Sequence, residues 1–133
     1  MSSKTSLLTA PAAGGFDSVH LSESAPGRAA LEAAGIRVAS LDGASLTDKQ
    51  DLMSGLAGAL ELPDWFGGNW DALDESLRDL SWLEAAGHVV VIEGGEVLWR
   101  RQPDLAGTLV SVWTGAANAW TSKGVPFHLV FVR

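Results

Sequence analysis

One stretch of the sequence, LPDWFGGNWDALDESLRDL at residues 62–80, concentrates side chains that could do chemistry: five carboxylates, two tryptophans and one arginine. Asn69 is a suitable N-cap for a helix in the second half of this stretch. Helical spacing then places Asp71, Asp74 and Glu75 on one stripe over the first two turns. Carboxylates arranged in this way could pair with the cations of a partner, transfer protons or hold a divalent metal ion.

Proton transfer, as in acid–base catalysis, is one of these alternatives. Asp71 with Glu75, or Asp74 with Asp79, could serve as a carboxylate pair acting on a glycoside. Catalytic acids need a pocket and a raised pKa, whereas a pair on one exposed helix face is usually solvated. We therefore expect a protein without catalytic residues.

Metal and cofactor binding have no matching pattern. The three acids lack the Asp-x-Asp spacing and the glycine of a calcium loop. The sequence has no cysteine, which excludes disulfides, thiolate catalysis and cysteine zinc sites. The histidines are scattered in or beside predicted strands, at His20, His88 and His128. No Gly-Gly pair fits a phosphate-binding loop, so we expect neither a metal nor a cofactor.

The residues before the acidic helix favour protein binding. Trp65 and Phe66 are followed by Gly67 and Gly68, which permit a positive φ or the close approach of another backbone. An exposed aromatic beside acids is typical of a protein-binding surface. The spacing leaves open whether Trp65 is such an anchor or packs beneath the loop, and Phe66 is the better candidate for the core. The net charge of −7 favours a basic partner over nucleic acid or an anionic membrane.

The elements that must position this stretch alternate between strands and helices. The 133 residues fit one domain, which we place at residues 16–133, after a flexible leader at 1–15 that is rich in Ser, Ala, Pro and Gly. The predicted order is strand 16–22, helix 23–35, strand 36–43, helix 45–62 with Thr47 as its N-cap, helix 70–80, strand 88–94, a connection that can hold a helical turn, a helix from Leu105 to Gly124, and strand 126–132. Such alternation implies a mainly parallel sheet in an α/β fold.

The sequence shows no targeting or membrane segment. Before Pro11 the only apolar run is a Leu-Leu pair, which is too short for a signal peptide. The longest apolar runs have the length of strands rather than of a transmembrane helix. We expect a cytoplasmic protein that makes no membrane contact.

The stretch at residues 62–80 resembles the signature of barstar-like proteins, the intracellular inhibitors of secreted, guanyl-specific microbial ribonucleases. The resemblance extends over residues 36–132. It implies a compact α/β fold of two or three layers around a three-stranded parallel sheet, to which residues 16–22 could add a fourth, N-terminal strand. The matching residues are Leu62-Pro63, Trp65-Phe66, Gly67, Asn69, Asp71-Ala72-Leu73 and Leu77.

The resemblance also implies a function. Family members insert this loop and helix into the active site of the ribonuclease, where their acids occupy the positions of RNA phosphates. Trp65 matches the stacking aromatic, Asp71 an interface carboxylate and Glu75 the chief carboxylate of the family. The implied partner is a basic ribonuclease in a 1:1 complex, without direct binding of nucleic acid. The predicted partner-binding residues are Trp65, Gly67, Gly68, Asn69, Asp71, Asp74, Glu75 and Trp82.

Three departures from the family pattern keep an alternative open. Asp74 stands where family members often carry Trp, and Glu75 is one CH₂ longer than the usual Asp. The last long helix of the family contributes an acid, but here that region, GAANAWTSKG, offers only Asn118 or Ala119. An acid elsewhere, such as Asp79, or Trp82 could take over that role. The chain could instead be a barstar-like immunity or interaction protein for a non-ribonuclease toxin or another basic partner.

Overall fold

The centre of the fold is a four-stranded sheet in which every neighbouring pair is parallel. The structure is a computed structural model that describes residues 3–133, with side chains from Thr5 onward. The strands are β1 (Val19–Ser22), β2 (Ile36–Asp42), β3 (Gly87–Glu93) and β4 (Phe127–Val132), in the order β1-β4-β3-β2. The predicted α/β class is confirmed, and the N-terminal strand is present as the fourth strand, at one edge.

Helices cover both faces of this sheet and give three layers. The helices are α1 (Ser3–Leu8), α2 (Arg28–Ala33), α3 (Lys49–Ala59), α4 (Trp70–Asp79), α5 (Gly95–Arg101) and α6 (Pro103–Ser122). Apolar residues of α3 to α6 share one core with one sheet face, and those of α1 and α2 share a second core with the other face. None of the helices within residues 3–133 is both long and apolar enough to span a membrane.

Strand β3 shows why two layers of helices are needed. Its side chains alternate, so that Val90 and Ile92 enter the larger core while Val89 and Val91 enter the smaller one. All four are buried. A near-continuous run of β-branched residues is typical of a strand covered on both faces.

The N-terminal segment differs from the predicted flexible leader. Ser3–Leu8 is helical. The side chain of Leu8 is fully buried and, like that of Leu31, is part of the smaller core. The hydroxyl of Thr5 also accepts a hydrogen bond from the backbone N–H of Gly27, at 3.2 Å. Contacts with residues distant in the sequence order this segment, because the second face of the sheet would otherwise be exposed to water. Residues 1 and 2 of the predicted leader lie outside the described residues.

Several helix boundaries also differ from the prediction. Helix α3 is capped by Asp48, whose carboxylate accepts from the N–H of Asp51 at 2.8 Å, and not by Thr47. Helix α6 begins earlier than predicted, at Pro103, because proline is well suited to the first position of a helix. The predicted connection at 95–101 is a complete helix, α5, entered through Gly94 with φ at 65°.

Candidate protein-binding site

The buried face of α4 fixes this helix to the larger core. Leu73 and Leu77 are fully buried and Trp70 is partly buried, and their spacing of three and four residues puts them on one face of the helix. At the start of the helix, Oδ1 of Asn69 accepts a hydrogen bond from the N–H of Ala72 at 2.8 Å, which confirms the predicted N-cap. Burial on one side leaves the opposite stripe of α4 facing solvent.

The end of α4 is tied to α6. The indole N–H of Trp120 donates to the carbonyl oxygen of Leu77 at 2.7 Å, and so satisfies one of the carbonyls that a helix end leaves without a partner. The C-cap of α4 is Leu80, the residue after Asp79. Its side chain is buried, and its backbone is left-handed with φ at 50°. Burial of its side chain offsets a backbone cost of about 1–2 kcal/mol.

Loop 62–69 sends its two neighbouring aromatics in opposite directions. The N–H of Phe66 donates to the carbonyl of Pro63 at 2.9 Å, which closes a turn. Phe66 then packs against the larger core, whereas the side chain of Trp65 is 60% exposed. The structure therefore selects the exposed arrangement for Trp65 and places Phe66 in the core.

The two glycines of the loop have separate reasons to be glycine. Gly68 has φ at 69°, a left-handed conformation that favours glycine. A Cβ at Gly67 would lie 3.3 Å from the side-chain nitrogen Nδ2 of Asn69, so a side chain there would crowd the cap of α4. Both residues shape the entry into α4.

Trp82 supports Trp65 from the side. The two indole rings meet edge to face, with centroids 6.3 Å apart and an interplanar angle of 89°. The N–H of Trp82 is used within the fold, because it donates to the carbonyl of Leu60 at 2.9 Å. Trp82 is partly buried against the larger core, so it forms a fixed wall for the exposed ring of Trp65.

The three predicted acids of α4 are not equivalent. Asp71 and Glu75 are exposed, and neither forms an ion pair with any of residues 5–133. Asp74 accepts a hydrogen bond from Nε of Arg78 at 3.0 Å, in an ion pair at the i, i+4 spacing. The stripe thus presents two unpaired carboxylates and one ion pair.

Arg78 is the residue that the sequence analysis did not assign to the site. Its guanidinium also lies against α6, since a Cβ at Gly115 would be 3.4 Å from a terminal nitrogen of Arg78. The spacing of four residues between Asp74 and Arg78 was a usable signal for the ion pair. The approach to Gly115 depends on how α4 and α6 pack.

Asn118, which stands in the region of the missing family acid, and Asp79, one of the two substitutes considered, both accept hydrogen bonds within the fold. Oδ1 of Asn118 accepts from the backbone N–H of Gly15 at 2.9 Å and so holds the N-terminal segment to α6. A Cβ at Gly15 would overlap the carbonyl oxygen of Thr114, so the two backbones are closely packed there. The carboxylate of Asp79 accepts from the N–H of Ser81 at 3.2 Å, just beyond α4.

The histidines and cavities lie away from α4. Nε2 of His20 is 3.0 Å from Nδ1 of His128, while His88 is buried beside Trp120. Cavities of about 360 and 310 Å³ are lined by residues of other elements than α4. Among the described residues, no three His, Asp or Glu side chains are grouped so as to hold a metal ion. The exposed stripe of α4 lines neither of these cavities.

Comparison with known proteins agrees with this geometry. A family model described as "Barstar (barnase inhibitor)" matches residues 36–132, a range that contains β2 to β4, α3 to α6 and all of the candidate site. No curated protein matches the chain. Among solved structures, a chain from "Structure of Drosophila ORC bound to DNA" has a TM-score of 0.51 and 17% identity, over 86% of this chain and 31% of that chain. This chain thus spans about a third of that chain's length, and the likeness concerns the fold alone.

The family match covers most of the sequence and leaves out only α1, β1 and α2 with the segments around them. The chain therefore belongs to the barstar family.

Proposed function

We propose that this protein is a cytoplasmic inhibitor of a small, basic, guanyl-specific ribonuclease, and that it blocks the active site in a 1:1 complex. The observation that carries the proposal is the pair of exposed carboxylates, Asp71 and Glu75, on the helix that directly follows the loop of the exposed Trp65. Members of the family bind ribonucleases, and this surface lies within the range that matches the family. The protein itself contributes no catalytic group.

The two carboxylates take the place of RNA phosphates. Asp71 and Glu75 are one helical turn apart, so both can face one cleft. In that cleft they would pair with the cations that otherwise bind substrate, in charge-assisted hydrogen bonds. Trp65 supplies apolar area with little loss of side-chain freedom, because Trp82 already holds its ring edge to face. The net charge of −7 speeds the encounter with a basic partner.

Titration of the protein into a small guanyl-specific ribonuclease tests the proposal, with RNA cleavage followed at low and high salt. We expect cleavage to stop at a 1:1 ratio and inhibition to weaken with salt. Asp71→Asn and Glu75→Gln should each cost about 2–5 kcal/mol of binding, because a cation of the partner is left buried and unpaired.

Glu32→Gln is the matched control for these variants. Glu32 is an exposed acid of α2, the helix on the other sheet face, and its replacement removes the same charge. Inhibition unchanged in this control but lost in the two α4 variants would place the contact on α4. Equal inhibition by all four proteins would rule out the proposed role of the α4 carboxylates.

A second candidate function is immunity against a toxin that is not a ribonuclease. It is favoured by the surface of α6, the helix from which family members contribute an acid. Between Leu105 and Ser122 this helix carries no charged residue, and Arg78 lies against it at Gly115. Full ribonuclease activity in the presence of excess protein would favour this candidate.

A further inference from the structure

We propose that the partner presents a carboxylate to Arg78, so that this arginine determines which basic proteins the surface accepts. The inference rests on the proposed function, because it concerns the same face of α4. It adds that the partner's binding cleft is not uniformly basic, and that an acidic side chain lies among its cations.

The first step of the argument is the state of the Arg78 guanidinium. A guanidinium carries five N–H donors. Nε donates to Asp74, and among residues 5–133 no other acceptor forms a hydrogen bond with this side chain. The side chain is 46% exposed, so its remaining donors are left to water.

The second step concerns the neighbouring helix. Arg78 lies against Gly115, where α6 has no side chain to interpose. Because residues 105–122 contain no Asp or Glu, the part of α6 around Gly115 offers no carboxylate to the guanidinium. Among residues 5–133, Asp74 is therefore the one carboxylate that forms an ion pair with Arg78.

The third step is what happens when a partner covers the stripe. Arg78 lies seven residues beyond Asp71, which is about 10 Å along a helix. An interface of about 800 Å² per partner extends well past that distance. A partner that meets Asp71 and Glu75 thus removes water from Arg78 as well. Each donor left buried without an acceptor costs about 1–3 kcal/mol, so the partner must supply acceptors.

The geometry of the guanidinium selects the kind of acceptor. Its planar fork matches a carboxylate, which accepts two parallel hydrogen bonds and also balances the charge. A partner with only cations opposite Arg78 would be repelled there. The arginine therefore acts against wrong partners as well as in favour of the right one.

The sign of the effect of Arg78→Ala tests the inference. If the surface only imitates phosphates, removing a cation makes it more acidic and should tighten binding to a basic ribonuclease. If the partner presents a carboxylate, that group loses its counterion, and we expect Kd to rise at least about tenfold, mainly through faster dissociation. Arg78→Lys, which keeps the charge but loses the fork, should fall between the parent and Arg78→Ala.

Association and dissociation rates would be measured on an immobilised guanyl-specific ribonuclease for the parent, Asp71→Asn, Glu75→Gln, Arg78→Ala and Arg78→Lys. Arg101→Ala, an exposed arginine of α5, removes the same charge away from the surface and should leave dissociation unchanged. Thermal unfolding would check that each variant is folded.

The possible outcomes separate the two proposals. Weaker binding in both acid variants and in Arg78→Ala supports both. Weaker binding in the acid variants, with unchanged or tighter binding in Arg78→Ala, overturns the inference and leaves the inhibitor function standing. A parent protein that does not bind, or acid variants that bind as tightly as the parent, overturns the proposed function and the inference with it.

Discussion

Trp65 and Phe66 are adjacent aromatics that the fold uses in opposite ways. Phe66 packs against the larger core below the turn that begins at Pro63, while Trp65 leaves 60% of its surface in solvent beside Trp82. A large exposed aromatic that the fold does not need for packing is available for binding. The two residues should therefore separate stability from affinity.

Trp65→Ala is expected to raise the Kd for the ribonuclease about 30-fold or more, equivalent to about 2 kcal/mol, because the anchor is lost. Its free energy of unfolding should change by less than about 0.5 kcal/mol. Phe66→Ala should lower the free energy of unfolding by about 2 kcal/mol or more, since it empties part of the core. Urea unfolding and binding measured on both variants give the comparison. Equal destabilisation by the two substitutions would contradict it.

The spacing in the sequence left the direction of Trp65 open, although Phe66 was the better candidate for the core. Both residues are large and apolar, and a shift of the turn by one residue would exchange their places. The hydrogen bond from the N–H of Phe66 to the carbonyl of Pro63 determines which of the two rings faces the core. This bond forms only in the folded loop. The exposed acids were easier to predict, because the period of the helix alone determines which residues share a stripe.

Helix α4 combines a fixed start, a buried face and a binding stripe in ten residues. The cap at Asn69 precedes Asp71 by only two positions, so the order of the first turn and the placement of this carboxylate are linked. Near its other end, Trp120 holds the carbonyl of Leu77. A substitution that destabilises α4 is therefore expected to affect the proposed binding stripe as well.

Asn69→Ala should lower the free energy of unfolding by about 1 kcal/mol, because the N–H of Ala72 loses its acceptor. It should also weaken binding, since Asp71 lies in the turn that frays. Asn69→Ser keeps a capping oxygen and is expected to retain most of both properties. Denaturant unfolding with parallel measurement of Kd checks the two effects, and an alanine variant as stable as the serine variant would argue against the cap.

Elements with local signals were predictable, and those that depend on distant contacts were not. The start of α4 follows from Asn69, and β3 follows from its apolar run. The ion pair of Arg78 has a local signal, but the approach of its guanidinium to Gly115 depends on how two helices pack. Helix α1 lacks such a signal in its Ser-rich sequence, because its reason to exist is the sheet face that it covers.

At the scale of the whole molecule, residues 3–35 form a unit added to the family core. Strand β1 extends the sheet beyond β4, and α1 and α2 cover the face formed by Val89, Val91 and Val130. The unit is held by apolar packing through Leu8 and Leu31 and by polar contacts at Gly15 and His128. It is a structural part of the domain.

Leu8→Ala should lower the free energy of unfolding by about 2–5 kcal/mol, because it leaves a cavity under α1. Leu7→Ala is the matched control, since Leu7 is exposed by 59% and its removal opens no cavity. Urea unfolding compares the two. A Leu8 variant as stable as the Leu7 variant would show that α1 does not contribute to the fold. The binding surface on the other sheet face should keep its affinity in both proteins.

Buried histidines make the stability depend on pH. Burial lowers the pKa of His88 to about 4, helped by the charge of Arg37, and burial also lowers the pKa of His128 against the opposing effect of its bond to Ala10. In the unfolded chain a histidine has a pKa of about 6.5, so as the pH falls the unfolded state takes up protons first. The free energy of unfolding should therefore fall as the pH drops below about 6.5, by up to about 1.4 kcal/mol per unit for His88, and His128 acts in the same direction.

Urea unfolding between pH 4 and 8 measures this slope. The contribution of His88 is fully present above the pKa of the unfolded histidine and is lost as the pH falls toward about 4. His88→Leu removes the titrating group and should flatten the slope between about pH 4 and 6.5. The same slope in parent and variant would assign the pH dependence to other groups.

The position of β1 also has a consequence for the order of folding. His20 on β1 and His128 on β4 meet although they are 108 residues apart in the chain. Strand β1 pairs only with β4 among the described strands, so during synthesis it must wait for its partner until β4 has been made. Pairing of strands so distant in sequence is slow, because the loop that it closes is long. Strand β1, with helix α1 before it, is thus expected to dock late, and until then the apolar sheet face that α1 covers is exposed to other chains.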